Sequence, residues 1–303
     1  MHPEVNACDD PSHTRRCPQS RIGEYVGLNY RIVRHLASGG MAEVYLAEHA
    51  SDDRAAAVKF MAFDGGASIN LLRHEAAILA QLRHPNIQRF IEHGHAGHAG
   101  EYLLTEYIRG VDLDDWLLCP GALVSPARTL ALLQQLSAAL DHLHAQGIVH
   151  GDLKPANVMV DPNAGDTVTL IDFGLAFDSS RPSLRPAGVG TPGYMAPEQL
   201  RGGSCGPAID RYALGAVGFE LLTGQPLQPD APSWYPGQSA RVYTRRSLER
   251  SLSCRRLNAV FARALHVEPA ERYASATEFV AALGQALANP VTSARYGGCA
   301  LSA

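Results

Sequence analysis

The sequence predicts an α+β fold in which a small antiparallel sheet with one helix is followed by a larger, mainly helical part. Two observations support this order. Short runs of alternating hydrophobicity dominate the beginning of the chain, and longer stretches with apolar residues at helical spacing dominate the remainder. The chain has 303 residues, of which 46% are hydrophobic and 18% charged, so it suits one large globular domain or two lobes. We find no internal repeat and no second domain.

Five strands and one helix are predicted in the first part, where apolar and polar residues alternate within each strand. The predicted strands are residues 30–36, 43–47, 55–60, 88–93 and 101–106. The helix covers residues 68–82, where Leu72, Ala76 and Leu79 recur at helical spacing. Residues 1–26 are polar and without periodicity, and we interpret them as a flexible N-terminal segment.

Helices dominate the second part. One begins near Leu113, and a long amphipathic helix covers residues 125–144, where Ser125 and Pro126 supply an N-cap and a proline in the first turn. Further predicted elements are small strands at residues 148–149, 158–160 and 169–171 and a last helix at residues 277–288.

Composition and charge exclude several classes of protein. The formal net charge of −4 leaves no basic excess to neutralise phosphates, so nucleic acid is not expected as the main partner. The six cysteines are scattered without a Cys-x-x-Cys pair, which indicates reduced thiols. We find neither a secretory signal nor an apolar run long enough for a transmembrane helix, so a cytoplasmic protein is predicted.

Two neighbouring segments carry the strongest chemical signal. Residues 150–159 read His-Gly-Asp-Leu-Lys-Pro-Ala-Asn-Val-Met, and residues 170–174 read Leu-Ile-Asp-Phe-Gly. Together they resemble the catalytic loop and the metal-binding segment of protein kinases. On its own, the spacing of Asp152 and Asn157 is also typical of an N-cap or a turn. The Asp-Phe-Gly sequence one hairpin later favours the catalytic interpretation.

The resemblance implies how these residues would take part in phosphoryl transfer. Asp152 would accept and orient the substrate hydroxyl, and Lys154 would lie against the γ-phosphate. Asn157 and Asp172 would be the metal ligands, because Mg²⁺ prefers oxygen atoms. ATP and Mg²⁺ are therefore the expected cofactors, with Mn²⁺ as an alternative metal.

Residues 37–42 read Ala-Ser-Gly-Gly-Met-Ala and connect the first two long strands. This turn resembles the glycine-rich loop of bacterial, eukaryotic-like (Hanks-type) Ser/Thr protein kinases, in which glycines let backbone N–H groups approach the phosphates. Ala37 and Ala42 replace the first and third glycines of that pattern. If either position requires positive φ, the alanine costs on the order of 1 kcal/mol and weakens nucleotide binding. An ordinary hairpin turn is the alternative interpretation.

The resemblance also implies a nucleotide-binding set and a hinge. Lys59 would hold the α- and β-phosphates and pair with Glu75, although an exposed lysine and a solvated helix glutamate would be the ordinary interpretation of each residue alone. Asp112 either contacts the ribose or caps the helix that begins near Leu113. The implied nucleotide-contacting residues are Leu36, Ala37, Ser38, Gly39, Gly40, Met41, Val44, Ala57, Lys59, Thr105, Glu106, Ile108, Asp112, Asn157, Met159 and Asp172.

Residues 175–190 are rich in Ser, Pro and Arg and resemble an activation loop, and residues 191–198, which include Thr-Pro-Gly-Tyr-Met-Ala-Pro-Glu, resemble the peptide-docking segment that follows it. Thr191 would hydrogen-bond Asp152 and Lys154, which makes Asp152, Lys154, Lys59, Glu75 and Thr191 the implied catalytic set. Two structural contacts are also implied: Asp210 would brace the catalytic-loop backbone, and Arg272 would pair with Glu198.

Gly151 stands where the family usually has an arginine that receives an activation-loop phosphate. We therefore expect phosphorylation of Ser179, Ser180 or Ser183 to affect activity only weakly. A separate feature, the histidines His93, His95 and His98, permits a metal site, but no carboxylate or cysteine completes a recognisable ligand set, and a solvated loop is preferred.

The resemblance implies a Ser/Thr protein kinase with an N-lobe at about residues 27–106, a C-lobe at about residues 110–288, ATP in the cleft between them, and a C-terminal tail at residues 289–303. Implied partners are protein substrates with Ser or Thr acceptors and a partner that reads phosphothreonine; the oligomeric state stays open. Two alternatives remain. His-Gly-Asp also occurs in small-molecule kinases such as aminoglycoside phosphotransferases, and a pseudokinase scaffold would bind nucleotide without transferring phosphate.

Overall fold

The computed structural model describes residues 21–39, 42–61, 66–97, 100–118, 124–180, 190–227, 233–235, 238–240 and 255–288. The chain divides into two compact units. The first unit comprises Met1–Arg83 and Gln88–Ile108, and the second comprises His84–Ile87 and Arg109–Ala303. None of the helices in the described ranges combines the length and the apolar character needed to cross a bilayer.

The first unit is a six-stranded antiparallel sheet with one helix. Its elements are β1 (Tyr25–Val26), β2 (Tyr30–Ser38), β3 (Ala42–His49), β4 (Ala55–Met61), α1 (Gly66–Gln81), β5 (Phe90–His95) and β6 (Glu101–Glu106). The strand order is β1-β2-β3-β4-β6-β5, with antiparallel pairing throughout. The five strands and the helix predicted for this part are confirmed.

Side chains on β3 and β4 alternate between a buried and a half-buried face, as the period of two along a strand requires. The buried face contributes Tyr45, Val58 and Phe60 to an apolar core that also contains Ile32 and Leu104. The half-buried face carries the residues predicted to contact a nucleotide. Packing on one face therefore leaves the other available for binding.

A short strand precedes residue 27, at which the N-lobe is predicted to begin. Strand β1 pairs with β2, with Tyr25 opposite Arg31 and Val26 opposite Tyr30. Val26 is 2% exposed and Arg21 is 6% exposed, so packed structure extends back at least to residue 21. A two-residue strand is too short to produce a detectable period, which is why the sequence pattern did not reveal it.

The second unit is mainly helical and carries several short strands. Its elements are β7 (Val111–Asp112), α2 (Leu113–Leu118), α3 (Pro126–Ala145), β8 (Ile148–Val149), β9 (Val158–Asp161), β10 (Thr167–Leu170), β11 (Phe177–Asp178), α4 (Pro197–Leu200), α5 (Ala208–Thr223), β12 (Ser233–Tyr235), β13 (Gln238–Ala240), α6 (Arg255–Ala264) and α7 (Ala276–Ala288). The predicted helices and small strands of this part are confirmed.

Helix α3 leads directly to the loop at residues 150–157, which is predicted to be catalytic. Ser125 caps its N-terminus, since the Ser125 hydroxyl accepts from the Arg128 N–H at 3.3 Å. Near its other end, the Asp141 carboxylate accepts from the backbone N–H groups of Ala276 and Thr277 at 2.8 and 3.0 Å, which caps α7. These contacts fix α3 within the helical packing and so fix the loop that follows it.

Candidate active-site residues

A buried carboxylate holds the backbone of the catalytic loop. Asp210, in the first turn of α5, is 1% exposed and accepts from the N–H groups of His150 and Gly151, both at 2.9 Å. It also hydrogen-bonds His144 Nε2 at 2.8 Å. Burial by itself raises the pKa of Asp210, but the hydrogen bond and charge of His144 outweigh it and the pKa lies below its usual range. The predicted brace is confirmed.

Gly151 adopts a backbone conformation that favours glycine, with φ of +81°. Its carbonyl accepts from the Gln199 side-chain amide at 3.3 Å, and its N–H donates to Asp210. Hydrogen bonds therefore hold both the N–H and the carbonyl of Gly151, the residue that replaces the expected arginine.

The Asp152 carboxylate joins the catalytic loop to the segment that begins at Thr191. Its Oδ1 accepts from the Thr191 N–H at 2.8 Å and from the Thr191 hydroxyl at 2.9 Å. Its Oδ2 lies 2.9 Å from Lys154 Nζ, which also donates to the Thr191 hydroxyl oxygen at 2.8 Å. The predicted contacts of Thr191 with Asp152 and Lys154 are confirmed, and they orient the carboxylate from two sides.

Asn157 and Asp172 present oxygen atoms on either side of the β9–β10 hairpin. The Asn157 amide N–H donates to the Asp152 carbonyl at 2.8 Å, so the amide oxygen is the atom Asn157 offers to a cation. Asp172 is exposed, has φ of +60°, and accepts from the Gly174 N–H at 3.4 Å. In the described ranges no group of three or more His, Cys, Asp or Glu is arranged to hold a metal. An amide with a carboxylate suits Mg²⁺, which keeps several of its own waters.

The first unit contains the ion pair of Lys59 and Glu75. Lys59 Nζ lies 3.1 and 2.8 Å from the two carboxylate oxygens of Glu75. Lys59 is on β4 and Glu75 is in the middle of α1, 3% exposed. Leu72 and Leu79 of the same helix are fully buried. The predicted partnership is confirmed, and it links the helix to the sheet.

The predicted nucleotide-contacting residues of the first unit largely share one face. Ala37 lies opposite Val44, Val44 opposite Lys59, and Ala57 opposite Thr105, and directly opposed residues in an antiparallel sheet point to the same side. Other members of the set have these positions: Leu36 is half-buried near the end of β2, Ser38 and Gly39 are exposed at its end, Glu106 ends β6, and Ile108 ends the unit.

The glycine-rich turn is closed by a hydrogen bond from the Gly39 N–H to the Ala42 carbonyl at 2.8 Å. Gly40 and Met41 lie outside the described residues. The described non-glycine residues with positive φ are Asn29, Asp53, Asp166 and Asp172. Ala37 and Ala42 are not among them, so the conformational cost considered for these alanines does not arise.

Two further predicted positions have an observed contact. Thr105 is 5% exposed, and its hydroxyl accepts from the Gln88 amide at 2.9 Å. Asp112 caps α2, because its Oδ1 accepts from the Asp115 N–H at 2.8 Å. Asp112 also lies directly opposite the half-buried Met159 in the pairing of β7 with β9. The capping interpretation of Asp112 is therefore confirmed.

One histidine of the predicted histidine-rich turn contacts a carboxylate. His93 Nε2 lies 3.2 Å from the Glu101 carboxylate, which Arg73 also binds. The Arg73 hydrogen bond is the main cause that lowers the pKa of Glu101. His95 is exposed, and His98 lies outside the described residues.

Sequence reasoning missed several side chains of the second unit. Three hydrogen bonds were not predicted. His144 hydrogen-bonds Asp210, and the Gln199 amide donates to the Gly151 carbonyl. The Tyr194 hydroxyl donates to the Glu220 carboxylate at 2.6 Å. The paired residues are 66, 48 and 26 positions apart in the sequence, so no local spacing pattern predicts these hydrogen bonds. The predicted pair of Arg272 and Glu198 is confirmed by two hydrogen bonds of 2.6 and 2.7 Å.

Comparison with known proteins agrees with this geometry. The sequence profile of the protein kinase domain matches residues 30–281. The chain therefore belongs to the protein kinase family. The described fold is similar to the crystal structure of the Mycobacterium tuberculosis PknI kinase domain, with a TM-score of 0.67 and 26% identity over 87% of this chain and 98% of that one. The predicted bilobal kinase fold class is confirmed.

Bacterial Ser/Thr protein kinases are among the similar sequences. PrkC of Bacillus subtilis is 37% identical over 209 residues, which are 67% of this chain and 32% of PrkC. Pkn3 of Myxococcus xanthus is 32% identical over 283 residues, which are 86% of this chain and 50% of Pkn3. PknH of Mycobacterium tuberculosis is 33% identical over 278 residues, 89% of this chain and 44% of PknH. The chain spans a third to a half of the length of these relatives.

Proposed function

We propose that this chain is a protein-serine/threonine kinase that transfers the γ-phosphate of ATP to Ser or Thr hydroxyls of proteins, including its own. The observation that carries the proposal is the pair of hydrogen bonds that Thr191 donates to Asp152. The Lys154 ammonium contacts both of these residues. These contacts join a peptide-docking segment to the carboxylate that handles the acceptor hydroxyl. This supports a protein acceptor over a small molecule, because small-molecule kinases lack that segment.

In the proposed reaction, the acceptor oxygen forms a bond to the γ-phosphorus while the bond from that phosphorus to the bridging oxygen of ADP breaks. The proton of the acceptor hydroxyl goes to the Asp152 carboxylate. Thr191 and Lys154 hold this carboxylate in one orientation, so little reorganisation is needed during transfer. The Lys154 ammonium also offsets negative charge on the transferring group.

Lys59 is proposed to bind the α- and β-phosphates while Glu75 holds its ammonium in place. Asn157 and Asp172 are the proposed Mg²⁺ ligands, and the metal, when bound, neutralises charge on the phosphates. The adenine would pack against Leu36, Val44, Ala57 and Met159, and the hinge backbone at Glu106 and Ile108 would bind its edge. Because Asp112 uses Oδ1 as a helix cap, a ribose contact would fall to its Oδ2.

The distribution of lysines supports these roles. Lys59 and Lys154 are the two lysines in a sequence that contains 26 Lys and Arg residues, so arginine supplies the cation almost everywhere else. A compact ammonium with three rotatable donors differs from a planar guanidinium with a fixed fork. The presence of lysine at these two positions suits phosphate binding by a point charge.

The test is incubation of the purified chain with labelled ATP, Mg²⁺ and a generic basic protein, followed by phosphoamino-acid analysis and phosphosite mapping. We expect phosphoserine or phosphothreonine from the wild type. Asp152→Asn should lower the rate by about 10²–10⁴-fold, and Lys59→Arg by about 10²–10³-fold because the ammonium contact is lost.

Asp161→Asn is the matched control for Asp152→Asn. Asp161 accepts from the Asn163 N–H at 2.9 Å on the hairpin after β9, and asparagine retains that acceptor. The control should transfer phosphate at the wild-type rate. Transfer by Asp152→Asn at the wild-type rate would contradict the proposal. Absence of transfer in a wild type that still binds ATP would favour a scaffold or a small-molecule acceptor.

A further inference from the structure

The segment before the matched kinase domain is part of the first unit. The family profile begins at residue 30, yet the Gly23 N–H donates to the Ile32 carbonyl at 2.8 Å, and the Ile32 N–H donates to the Glu24 carbonyl at 2.9 Å. These backbone hydrogen bonds fasten residues 21–26 along β2. The segment therefore brings the Arg21 side chain onto the sheet.

Arg21 is buried against two neighbouring strands. Its guanidinium carbon lies 4.0 Å from the centroid of the Phe60 ring on β4. Its Nε lies 3.7 Å from Oε2 of Glu43 on β3, and the same carboxylate oxygen accepts from the Tyr45 hydroxyl at 2.7 Å. Arg21 and Glu43 are 6% and 8% exposed, so the Glu43 charge would be costly to bury without Arg21.

The residues that Arg21 contacts are adjacent to the proposed nucleotide-binding residues. Glu43 lies directly opposite Phe60, and the next pair along the two strands is Val44 and Lys59. Because successive side chains alternate between faces, Arg21 packs on one face of the sheet and the Val44 and Lys59 side chains lie on the other. Ala42, which precedes Glu43, accepts the hydrogen bond that closes the glycine-rich turn.

We propose that Arg21 is a positioning residue for nucleotide binding, acting through Glu43 and Phe60 from the opposite face of the sheet. Its contacts with Glu43 and Phe60 hold together the ends of β3 and β4 that adjoin the glycine-rich turn. Lys59 and the turn then hold their binding geometry before the nucleotide arrives, and such preorganisation reduces the cost of binding. This inference rests on the proposed function, since it assigns a residue outside the matched domain to the same site.

The test measures the Kd of ATP by calorimetry and the KM and kcat of phosphotransfer in Arg21→Ala, well below the wild-type unfolding midpoint. We expect the Kd and the KM to rise about tenfold, equal to about 1.4 kcal/mol of binding free energy. The kcat should change much less than the KM, because the catalytic loop belongs to the second unit. Arg31→Ala is the matched control, since Arg31 is exposed on β2 and should leave all three constants unchanged.

A double-mutant cycle tests whether Arg21 acts through Glu43. Glu43→Gln removes the buried charge that Arg21 neutralises and keeps an acceptor for Tyr45. In that background Arg21→Ala should raise the Kd of ATP by less than it does in the wild type, because the two residues are coupled. Arg21→Lys keeps the charge but loses the planar face over Phe60, so an intermediate rise is expected.

The outcomes separate this inference from the proposed function. If the wild type does not bind ATP, the proposed function fails. If the wild type binds ATP and both Arg21→Ala and Arg21→Lys bind it equally well, the inference is overturned and the proposed function stands. Equal increases in Kd with and without Glu43→Gln would also overturn it. Should Arg21→Ala not fold, Arg21→Lys and Glu43→Gln carry the same test, because each must still raise the Kd.

Discussion

The two ends of α5 each bury an acidic side chain, and the pKa values of these side chains move in opposite directions. Asp210, in the first turn, accepts from two backbone N–H groups and hydrogen-bonds His144, and its pKa is lowered although burial opposes this. Glu220, in the last turn, accepts from the Tyr194 hydroxyl, and burial raises its pKa.

The difference shows that the donors around a buried carboxylate, and not burial alone, decide which protonation state the fold favours. The helix dipole adds to the contrast, because the N-terminus of a helix stabilises negative charge and the C-terminus disfavours it. Asp210 therefore serves as a fixed anion beneath the catalytic loop. Glu220 is a buried acid whose charge is only partly compensated.

The largest effect is expected at Asp210. Asp210→Ala leaves the His150 and Gly151 N–H groups and His144 without their buried acceptor, so it should lower the free energy of unfolding by about 3–5 kcal/mol. Urea denaturation followed by circular dichroism measures this change. A matched Asp161→Ala variant, which removes one acceptor from an exposed turn, should cost about 1 kcal/mol. Equal losses would show that the donors on Asp210 contribute nothing special.

Glu75 extends the comparison to a buried carboxylate whose partner is a full cation. Glu75→Gln removes the charge that orients Lys59, so we expect kcat/KM to fall by about 10²-fold while the fold survives. Steady-state kinetics with ATP as the varied substrate measures the change. Glu48→Gln on the neighbouring strand β3 is the control and should leave kcat/KM unaltered. A wild-type rate for Glu75→Gln would mean that Lys59 needs no partner to hold phosphate.

The smallest effect is expected at Glu220, and it depends on pH. Because its folded pKa is raised, the folded state binds this proton more tightly than the unfolded state, so the charge is destabilising above the folded pKa and harmless below the unfolded value of 4.5. Glu220→Gln keeps an acceptor for Tyr194 without the charge. It should raise the free energy of unfolding by about 1 kcal/mol or less at neutral pH.

The gain from Glu220→Gln should shrink as the pH falls toward 4.5, which unfolding curves at several pH values measure. The contribution of Asp210 to the free energy of unfolding depends on pH in the opposite direction. Its folded pKa is lowered, so its contribution is fully present above the unfolded value of 3.8 and is lost as the pH falls through the folded pKa. A Glu220→Gln gain that grows toward acid pH would contradict the assigned direction.

Sequence periodicity and motif spacing were sufficient for the elements and for the chemical groups. Alternation over residues 30–60 and helical spacing over residues 68–82 predicted the sheet and α1, because these patterns arise from local backbone geometry. Asp152, Asn157 and Asp172 were predicted as a group because residues 150–159 and 170–174 resemble the catalytic loop and the metal-binding segment of protein kinases.

Only the tertiary structure decided the contacts that bring distant residues together. His144 reaches Asp210 across 66 residues, and Arg21 reaches Glu43 from a segment that showed no period at all. Asp112 had two open interpretations until its carboxylate was seen to cap α2. The reason is physical: a local pattern records which face of an element is buried, whereas the partner across that face depends on how separate elements pack. The sequence by itself determined which groups are available, and the packing determined which of them meet.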